Sequence, residues 1–454
     1  MDLRPNSDEA RDIAYHFHGY TNARAHEDQG PMIMDRGEGV YVFDTQGNRY
    51  IEGMSGLWSV AVGFHEERLI KAATQQMSKL PYYHNFAHRS HGPAIDLAEK
   101  LISLAPVPMS KVFFTNSGSE ANDTILKMLW YRSNSLGKPE KKKVISRIRG
   151  YHGVTIASAS MTGLPYNHAS FDLPIDGVLH TTCPHYWREG QEGESEEAFA
   201  TRCADDLDAM IQAEGPDTIA AFIAEPVMGA GGVVVPPATY WEKIQAVLAK
   251  YDILLIADEV ICGFGRTGNM FGCETFGISP DIMTMSKQIT SSYFPFSAFM
   301  MTEEVYAPIA DESGRIGVLG HGYTGGAHPV GAAVALENLK IIEERDLVTN
   351  AAERGAELQA GLRGFADHPL VGEARGVGLK GALELVAPET HTDALKPGQL
   401  GLAMNKHFLK NGLISRNMLD AMAFCPPLIV TSDHVKDILS AVERSLEGFT
   451  AEMA

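Results

Sequence analysis

Three short segments place chemically useful side chains directly after apolar runs. Lys287 closes one run, Asp258 closes another, and the segment Asn116–Asn122 follows a third. A lysine removed from water has a lowered pKa and can act as a nucleophile or base. A carboxylate at the end of a buried strand needs a cation or a donor beside it. The start of a helix next to a glycine suits an anion, phosphate above all.

Each segment also has an ordinary structural explanation. Lys287 could extend from a strand end towards water, Asp258 could be a surface carboxylate, and Ser117 with Glu120 could form a capping box that binds nothing. The combination is more specific than its members. A lysine bonds to an aldehyde, a carboxylate keeps a ring nitrogen protonated, and a helix start binds phosphate. A molecule with an aldehyde, a ring nitrogen and a phosphate would use all three groups, so together they predict pyridoxal 5'-phosphate as the cofactor.

The elements that must position these residues alternate along the middle of the chain. Strands that alternate with helices predict an α/β fold with a mostly parallel sheet covered on both faces. Strands are predicted over 111–115, 144–148, 218–224, 253–257, 282–286 and 297–301, and helices over 119–132, 198–213 and 237–250.

The two ends of the chain follow another pattern. A hairpin is predicted over 40–43 and 49–51, around a turn that contains Gly47. We expect an N-terminal segment, 1–59, that contributes to a small domain, a large cofactor-binding domain, 60–330, and a C-terminal small domain, 331–454. Within the C-terminal small domain, helices are predicted over 331–345, 350–365 and 434–449, and short strands over 379–385 and 422–424. In the large domain, a solvated loop is predicted over 189–197.

Composition excludes several classes of protein. The chain has 454 residues, 44% of them hydrophobic, and a formal net charge of −19, which disfavours nucleic acid and anionic membranes as partners. No apolar run approaches the roughly 20 residues of a membrane-spanning helix, and the polar, acidic start does not resemble a signal peptide. The five cysteines form no CxxC pair, so we expect free thiols, a cytoplasmic location and no metal site.

Over nearly its whole length the chain resembles the class III pyridoxal-phosphate aminotransferases, of the amine–pyruvate or omega-transaminase subgroup. The resemblance implies fold type I: a large domain with a mostly parallel seven-stranded sheet and a smaller α+β domain. It also implies a homodimer with shared active sites and leaves a tetramer open. The motifs that carry it are NSGSEAN, GYHG, AEPVMGAGG, ADEVICGFGRTG, MSKQ, HGYTGGAHP and RNMLDAMAFCPP.

The resemblance assigns roles around the cofactor. Lys287 matches the lysine that bonds to the cofactor aldehyde, and Asp258 matches the partner of the pyridine nitrogen. The other matches are a phosphate cup at Gly118 and Ser119, ring packing by Tyr151 and Val260, and a phosphate ligand, Thr324, donated by the neighbouring subunit.

The resemblance also assigns a substrate pocket. Trp58, Phe86 and Ala230 match its walls beside Tyr151, and Arg416 matches a mobile arginine that binds a substrate carboxylate and moves away for uncharged amines. Trp58 and Phe86 could instead be core aromatics, and Arg416 could be a surface cation.

Three departures from the family pattern bear on substrate and cofactor contacts. Relatives that act on ornithine or 4-aminobutyrate usually have a glutamate where this chain has Ala230, and a glutamine where it has Ile261. Both departures argue against those substrates. The stretch 324–328 lacks the Tyr-Ser often found after the threonine, which affects the expected contacts around the phosphate.

The expected activity is a ping-pong transfer of an amino group from a primary amine or omega-amino acid to a keto acid, with pyruvate as the acceptor. Taurine–pyruvate or β-alanine–pyruvate transfer is the alternative. A nicotinamide dehydrogenase is suggested by the GxGxxG pattern of 263–268, but no clear helix follows it. A non-catalytic scaffold would not need both Lys287 and Asp258.

Overall fold

In the computed structural model, residues 4–387 and 396–453 are described, and strands alternate with helices along the chain. The strands, in chain order, are β1 Met34–Glu38, β2 Tyr41–Asp44, β3 Arg49–Glu52, β4 Lys111–Thr115, β5 Lys143–Arg147, β6 Val178–Thr181, β7 Ile219–Ala224, β8 Leu254–Asp258, β9 Ile282–Met285, β10 Ser297–Met301, β11 Val371–Val377, β12 Lys380–Leu385, β13 Leu413–Ile414, β14 Arg416–Met418 and β15 Ala421–Phe424. The helices are α1 Asp8–Tyr15, α2 Ala23–Gln29, α3 Ser55–Trp58, α4 Glu67–Lys79, α5 Gly92–Leu104, α6 Gly118–Ser135, α7 Ile156–Met161, α8 Tyr186–Glu189, α9 Glu196–Glu214, α10 Tyr240–Lys250, α11 Gly272–Phe276, α12 Glu303–Ile316, α13 Pro329–Glu344, α14 Leu347–Arg363, α15 Gln399–Lys410 and α16 Ser432–Met453.

The largest sheet has seven strands in the order β4-β10-β9-β8-β7-β5-β6. Strand β10 runs antiparallel to both of its neighbours, and the other neighbouring pairs are parallel. Strands β4, β5, β7, β8 and β9 therefore point the same way. Their carboxyl ends lie along one edge of the sheet, which is where open α/β sheets bind ligands.

Alternation of side chains explains why this sheet is buried on both faces. Successive residues of a strand point to opposite faces. Phe222 and Leu255 belong to one hydrophobic cluster, whereas their chain neighbours Ile223 and Ile256 belong to another. Helices cover both faces, so the central strands are continuously apolar, as the sequence predicts.

Two smaller four-stranded sheets lie outside the large one, in the orders β1-β2-β3-β13 and β11-β12-β15-β14. In the first, Ile51 of β3 pairs in parallel with Leu413 of β13. The predicted hairpin is confirmed, and its pairing with a C-terminal strand agrees with a shared small domain. The domain boundaries after residues 59 and 330 stay predictions.

Most predicted elements are present, with shifted ends. The helix predicted over 237–250 begins at Tyr240, because residues before it form a turn in which the Tyr240 N–H donates to the Pro237 carbonyl. The loop predicted over 189–197 is shorter than expected. Helix α9 already begins at Glu196, where the Ser195 side chain caps it. The pattern at 263–268 is followed by turns rather than directly by a helix, as predicted.

All five cysteines are buried and free, in agreement with the sequence. Within the described ranges, no helix is long and apolar enough to cross a membrane.

Candidate active site

The predicted chemical residues gather at one edge of the large sheet. Asp258 is the last residue of β8, and Lys287 opens a short 3-10 turn just after β9. Gly118 opens α6 shortly after β4, and Tyr151 and Glu225 follow β5 and β7. Parallel strands therefore deliver side chains that are up to 170 positions apart in sequence to the same place.

Asp258 is 3% exposed and held by three N–H donors. Its Oδ2 lies 2.7 Å from Nδ1 of His152 and 3.1 Å from Nδ2 of Asn122, and its Oδ1 accepts from the Val260 N–H at 3.1 Å. Asn122 is fixed in turn by the Thr284 hydroxyl, at 2.9 Å. These three donors satisfy the oxygens of the buried carboxylate and fix its position at the strand end.

His152 and Asn122 are site residues that the sequence analysis did not identify. Both lie inside segments that it did single out, GYHG and NSGSEAN. Their position in those two segments is the sequence signal that could have identified them. Their function depends on contact with Asp258, over 100 positions away, and no local pattern reports that contact.

Lys287 is partly buried and its φ of 49° lies in the left-handed region. Burial lowers the pKa of Lys287 to about 8, although the negative charges of Asp258 and Glu225 act in the opposite direction. A lysine with this pKa has a substantial neutral fraction near pH 8. Its amine can therefore act as a nucleophile or accept a proton.

The start of α6 is built to receive an anion. The Ser117 hydroxyl accepts from the Glu120 N–H at 3.2 Å, which is the first half of the predicted capping box. The second half is wrong: the Glu120 carboxylate accepts from the Asn116 N–H at 2.7 Å, one residue earlier than expected. The N–H groups of Gly118 and Ser119 have no acceptor among the described residues and carry the positive end of the helix dipole.

Two glycines let the backbone close around this helix start. A Cβ on Gly118 would lie 3.2 Å from Cγ2 of Val260, and a Cβ on Gly153 would lie 2.6 Å from the Ser119 hydroxyl. The Ser119 hydroxyl also accepts from the Val154 N–H at 3.0 Å. Side chains at 118 or 153 would fill the space beside the free N–H groups.

Tyr151 is positioned through Glu225, another residue that the sequence analysis did not identify although it lies in the segment AEPVMGAGG. The Glu225 carboxylate accepts from the Tyr151 N–H at 3.0 Å and from the Gly229 N–H at 2.7 Å. The Tyr151 hydroxyl lies 3.3 Å from that of Tyr20. Burial raises the pKa of Tyr151, so its ring stays neutral and can pack against an aromatic group.

Arg416 and Ala230 line two adjoining cavities, of about 780 and 890 Å³. Tyr166, Met418 and Leu419 line both cavities, so the two cavities lie side by side. Arg416 is partly exposed and forms no ion pair with any described residue. Its positive charge favours the ionised forms of Tyr151 and Tyr166 and so opposes the rise in their pKa that burial causes.

The other two predicted pocket walls lie elsewhere. Trp58 is 1% exposed and packs in a cluster with Met54 and Ile261, so its side chain is part of the core. Phe86 is 47% exposed and lines a separate cavity of about 810 Å³ beside Gly322. The structure therefore does not bring either ring into the cavities that Arg416 and Ala230 line.

Thr324 belongs to the same region as Phe86. Its carbonyl accepts from the Tyr82 hydroxyl at 2.9 Å, and a Cβ on neighbouring Gly322 would lie 2.6 Å from the Phe86 ring. Thr324 is thus grouped with the 82–86 segment, and no bond joins its side chain to Lys287 or Asp258 within the described residues.

These residues fit the cofactor predicted from the sequence. Lys287 supplies an amine of lowered pKa, and Asp258 supplies a buried carboxylate with Oδ1 bonded only to one backbone N–H. The start of α6 supplies free N–H groups in a cradle that only glycine permits at Gly118 and Gly153. An amine, an acid and an anion cradle are the groups that pyridoxal phosphate requires.

Comparison with known proteins identifies the family. The family model described as "Aminotransferase class-III" matches residues 22–446. A protein of Oryza sativa subsp. indica named probable gamma-aminobutyrate transaminase 3, mitochondrial, is 48% identical over 430 residues, 94% of this chain and 84% of that protein.

Solved structures agree with this family. The omega transaminase from Pseudomonas jessenii in complex with PMP is 60% identical, covers 98% of each chain and has a TM-score of 0.97. A structure titled "Transaminase with L-ala" is 66% identical over 93% of this chain and all of that one, with a TM-score of 0.92. The chain belongs to the class III aminotransferases, has the fold of the type I pyridoxal-phosphate enzymes and uses pyridoxal 5'-phosphate.

Proposed function

We propose that this aminotransferase moves an amino group from a primary amine or omega-amino acid to a keto acid, with pyruvate as the acceptor. The observation that carries the proposal is Arg416, a cation without an ion-pair partner among the described residues, in a cavity that adjoins the one beside Ala230. A guanidinium can bind a carboxylate through two parallel hydrogen bonds. A keto acid brings such a carboxylate, and a simple amine does not.

The roles of the chain's own residues follow from their positions. When bound, pyridoxal phosphate supplies an aldehyde that bonds to amines and a cationic ring that withdraws electrons. Lys287 holds the aldehyde at rest and moves the proton at the substrate α-carbon once the amine has displaced it. Asp258, fixed by His152 and Asn122, keeps the ring nitrogen protonated.

The remaining cofactor contacts are proposed from the same geometry. The free N–H groups at Gly118 and Ser119 bind the phosphate, and Tyr151 and Val260 pack on opposite faces of the ring. Exclusion of water by these side chains strengthens the attraction between Asp258 and the ring nitrogen, because the local dielectric constant is low.

A homodimer with shared sites completes this arrangement. The Thr324 carbonyl accepts from the Tyr82 hydroxyl, and Phe86, four residues after Tyr82, lines a cavity different from the one that Arg416 lines. We propose that this group serves the active site of the neighbouring subunit, with Thr324 on the phosphate and Phe86 at the pocket wall. Trp58 lies too deep in the core to contact substrate without a rotation of its side chain.

Three other donors deserve comparison with a simple amine: β-alanine, taurine and 4-aminobutyrate. The first two come from the sequence resemblance. The third is supported by the plant relatives, which are described as gamma-aminobutyrate transaminases at 46–48% identity. Position 230 is an alanine rather than a glutamate, and position 261 is an isoleucine rather than a glutamine. Both argue against 4-aminobutyrate, so a primary amine or a different omega-amino acid is the preferred donor.

A panel of donors against pyruvate and 2-oxoglutarate tests the proposal. We expect the yellow holoenzyme to lose its colour with the accepted amine and to recover it with pyruvate. Exclusive use of 4-aminobutyrate, or recovery of colour with 2-oxoglutarate alone, would contradict the proposal.

Arg416→Ala separates the two halves of the reaction. The variant should lose about 10²-fold in kcat/KM for pyruvate, because the charge-assisted pair is gone, and little for an uncharged arylalkylamine. Arg315→Ala is a matched control, because that exposed arginine pairs with Glu312 on α12 and lines neither substrate cavity. Equal losses for both substrates in Arg416→Ala would make Arg416 a structural residue.

A further inference from the structure

Three histidine rings surround one carboxylate near the start of the chain. Asp12 lies in α1, His16 and His18 follow that helix, and His26 lies in α2. Asp12 Oδ1 is 3.0 Å from Nδ1 of His16, and Oδ2 is 2.8 Å from Nε2 of His18 and 3.0 Å from Nε2 of His26. Four side chains of the types that bind transition metals therefore converge on one point.

No stronger cation occupies this cluster. Among the described residues, the nearby arginines pair with other carboxylates, Arg11 with Asp8 and Arg24 with Glu27. Only imidazoles contact Asp12. At neutral pH a neutral imidazole has a nitrogen lone pair that can bind a metal ion.

A second group of histidine and carboxylate side chains differs from this one, because arginines pair with its carboxylates. His185, Glu373 and Glu384 also come together, but the guanidinium groups of Arg188 and Arg375 lie between them. Those carboxylates are already neutralised by arginine. The group is an ion-pair network without room for another cation.

We propose that Asp12, His16 and His18 bind a divalent transition-metal ion of the zinc class, with His26 orienting the carboxylate. The ligand atoms of the three binding residues lie within 4.8 Å of one another. Ligands of a tetrahedral zinc ion at bonds of about 2.0–2.1 Å are separated by about 3.3 Å. Asp12 faces His16 with Oδ1, at 3.0 Å, and His18 with Oδ2, at 2.8 Å, so an ion bound by both carboxylate oxygens requires each separation to open by a few tenths of an ångström.

The sequence predicted no metal site. His16 meets Asp12 locally, four residues along at the end of α1, but His26 reaches the same carboxylate only after the chain turns between two helices. That turn also carries Tyr20, whose hydroxyl lies 3.3 Å from the Tyr151 hydroxyl and accepts from the Asn167 amide at 2.6 Å. A metal ion at Asp12 would fix the turn that presents Tyr20 to the substrate cavity.

Zinc binding to the tag-free holoenzyme tests the proposal. The protein is dialysed against micromolar zinc chloride, and zinc per chain is measured together with bound cofactor, which itself can bind metals. We expect wild type to bind one more zinc ion per chain than His18→Ala, or to bind it at least about tenfold more tightly. His65→Asn is the control, because His65 is exposed, has no bonded partner in the described part of the chain, and has a φ of 59° that asparagine tolerates.

Zinc should also slow proteolytic cleavage between α1 and α2 in wild type and in His65→Asn, but not in His18→Ala. Equal zinc content in all three proteins would place the ion elsewhere and overturn the proposal. No zinc in wild type would overturn it as well. If His18→Ala does not fold, Asp12→Asn decides by the same two measurements, because it removes the shared oxygen ligand and nearly preserves side-chain volume.

Discussion

At the scale of single residues, the site depends on how Asp258 is kept charged while it is buried. An isolated buried carboxylate would become protonated, because leaving water costs several kcal/mol. His152, Asn122 and the Val260 N–H replace the lost water with three directed donors. The carboxylate is therefore hydrogen-bonded before any ligand arrives, and its position is fixed by the fold.

Asp258→Asn should slow the half-reaction with amine by about 10- to 1000-fold, because a close opposite charge raises the pKa of the ring nitrogen by roughly 1–3 units. Single-turnover spectroscopy measures this rate. Asn122→Ala, which removes one donor but leaves the carboxylate, should cause a smaller loss. A half-reaction as fast in Asp258→Asn as in wild type would show that another group charges the ring.

Lys287 gives a prediction about stability. Its folded pKa of about 8 lies below the usual value near 10.4, so the unfolded chain binds more protons between about pH 8 and 10. The free energy of unfolding of the cofactor-free protein should rise with pH across that window. In Lys287→Met this contribution is absent, so the variant should be more stable at pH 7 by about 3 kcal/mol, with a smaller difference at pH 10.

Thermal unfolding of both cofactor-free proteins at several pH values measures the difference. Lys340→Met is a suitable control because Lys340 is an exposed helix residue. Parallel pH profiles for wild type and Lys287→Met would show that the lysine is not held in a desolvated position.

At the scale of elements, the start of α6 and the loop after β5 form one unit. Gly153 has a φ of 139°, and its hydrogen faces the Ser119 hydroxyl. The loop can approach the helix only because residue 153 has no side chain. The anion cradle therefore depends on a loop that is not adjacent to the helix in sequence.

Gly153→Ala should weaken cofactor binding about tenfold or more and destabilise the protein by about 1–3 kcal/mol, through backbone strain and contact with Ser119. Equilibrium dialysis against pyridoxal phosphate and thermal unfolding measure the two effects. Gly137→Ala is the control: its φ of 68° is also positive, but a Cβ there meets nothing within 4 Å. Equal cofactor affinity in both variants would remove the loop from the cradle.

Strand ends were the predictable part of the site. Apolar runs that stop at Asp258 and Lys287 located both residues, because a buried parallel strand has a simple sequence pattern. Contacts between distant segments were not predictable in this way. His152 and Asn122 acquire their importance from Asp258, and Glu225 from Tyr151, once the sheet has brought them together.

At the scale of the whole molecule, Phe86 and Thr324 are the residues that a single chain does not explain. Both are grouped around Tyr82, apart from Lys287. Sequence resemblance predicted their roles, but those roles require a second copy of the chain. The proposed arrangement is a closed two-fold dimer, in which each subunit would complete the site of the other.

Mixed dimers test this directly. Lys287→Ala should be inactive, and Thr324→Glu should lose cofactor affinity through repulsion of the phosphate. If Thr324 acts across the interface, dimers that contain one subunit of each variant have one intact site. Random mixing should then restore about a quarter of wild-type activity. Activity no higher than that of the parent variants would place Thr324 in the site of its own subunit.

The parallel pairing of β3 with β13 has a consequence for how the protein is made. The edge of β3 that carries Ile51 bonds to Gly412 and Leu413. A ribosome releases the first of these segments long before the last. One edge of the early hairpin therefore stays unpaired until residues 412 and 413 have been made, which makes nascent chains stalled before residue 412 prone to strand-mediated association.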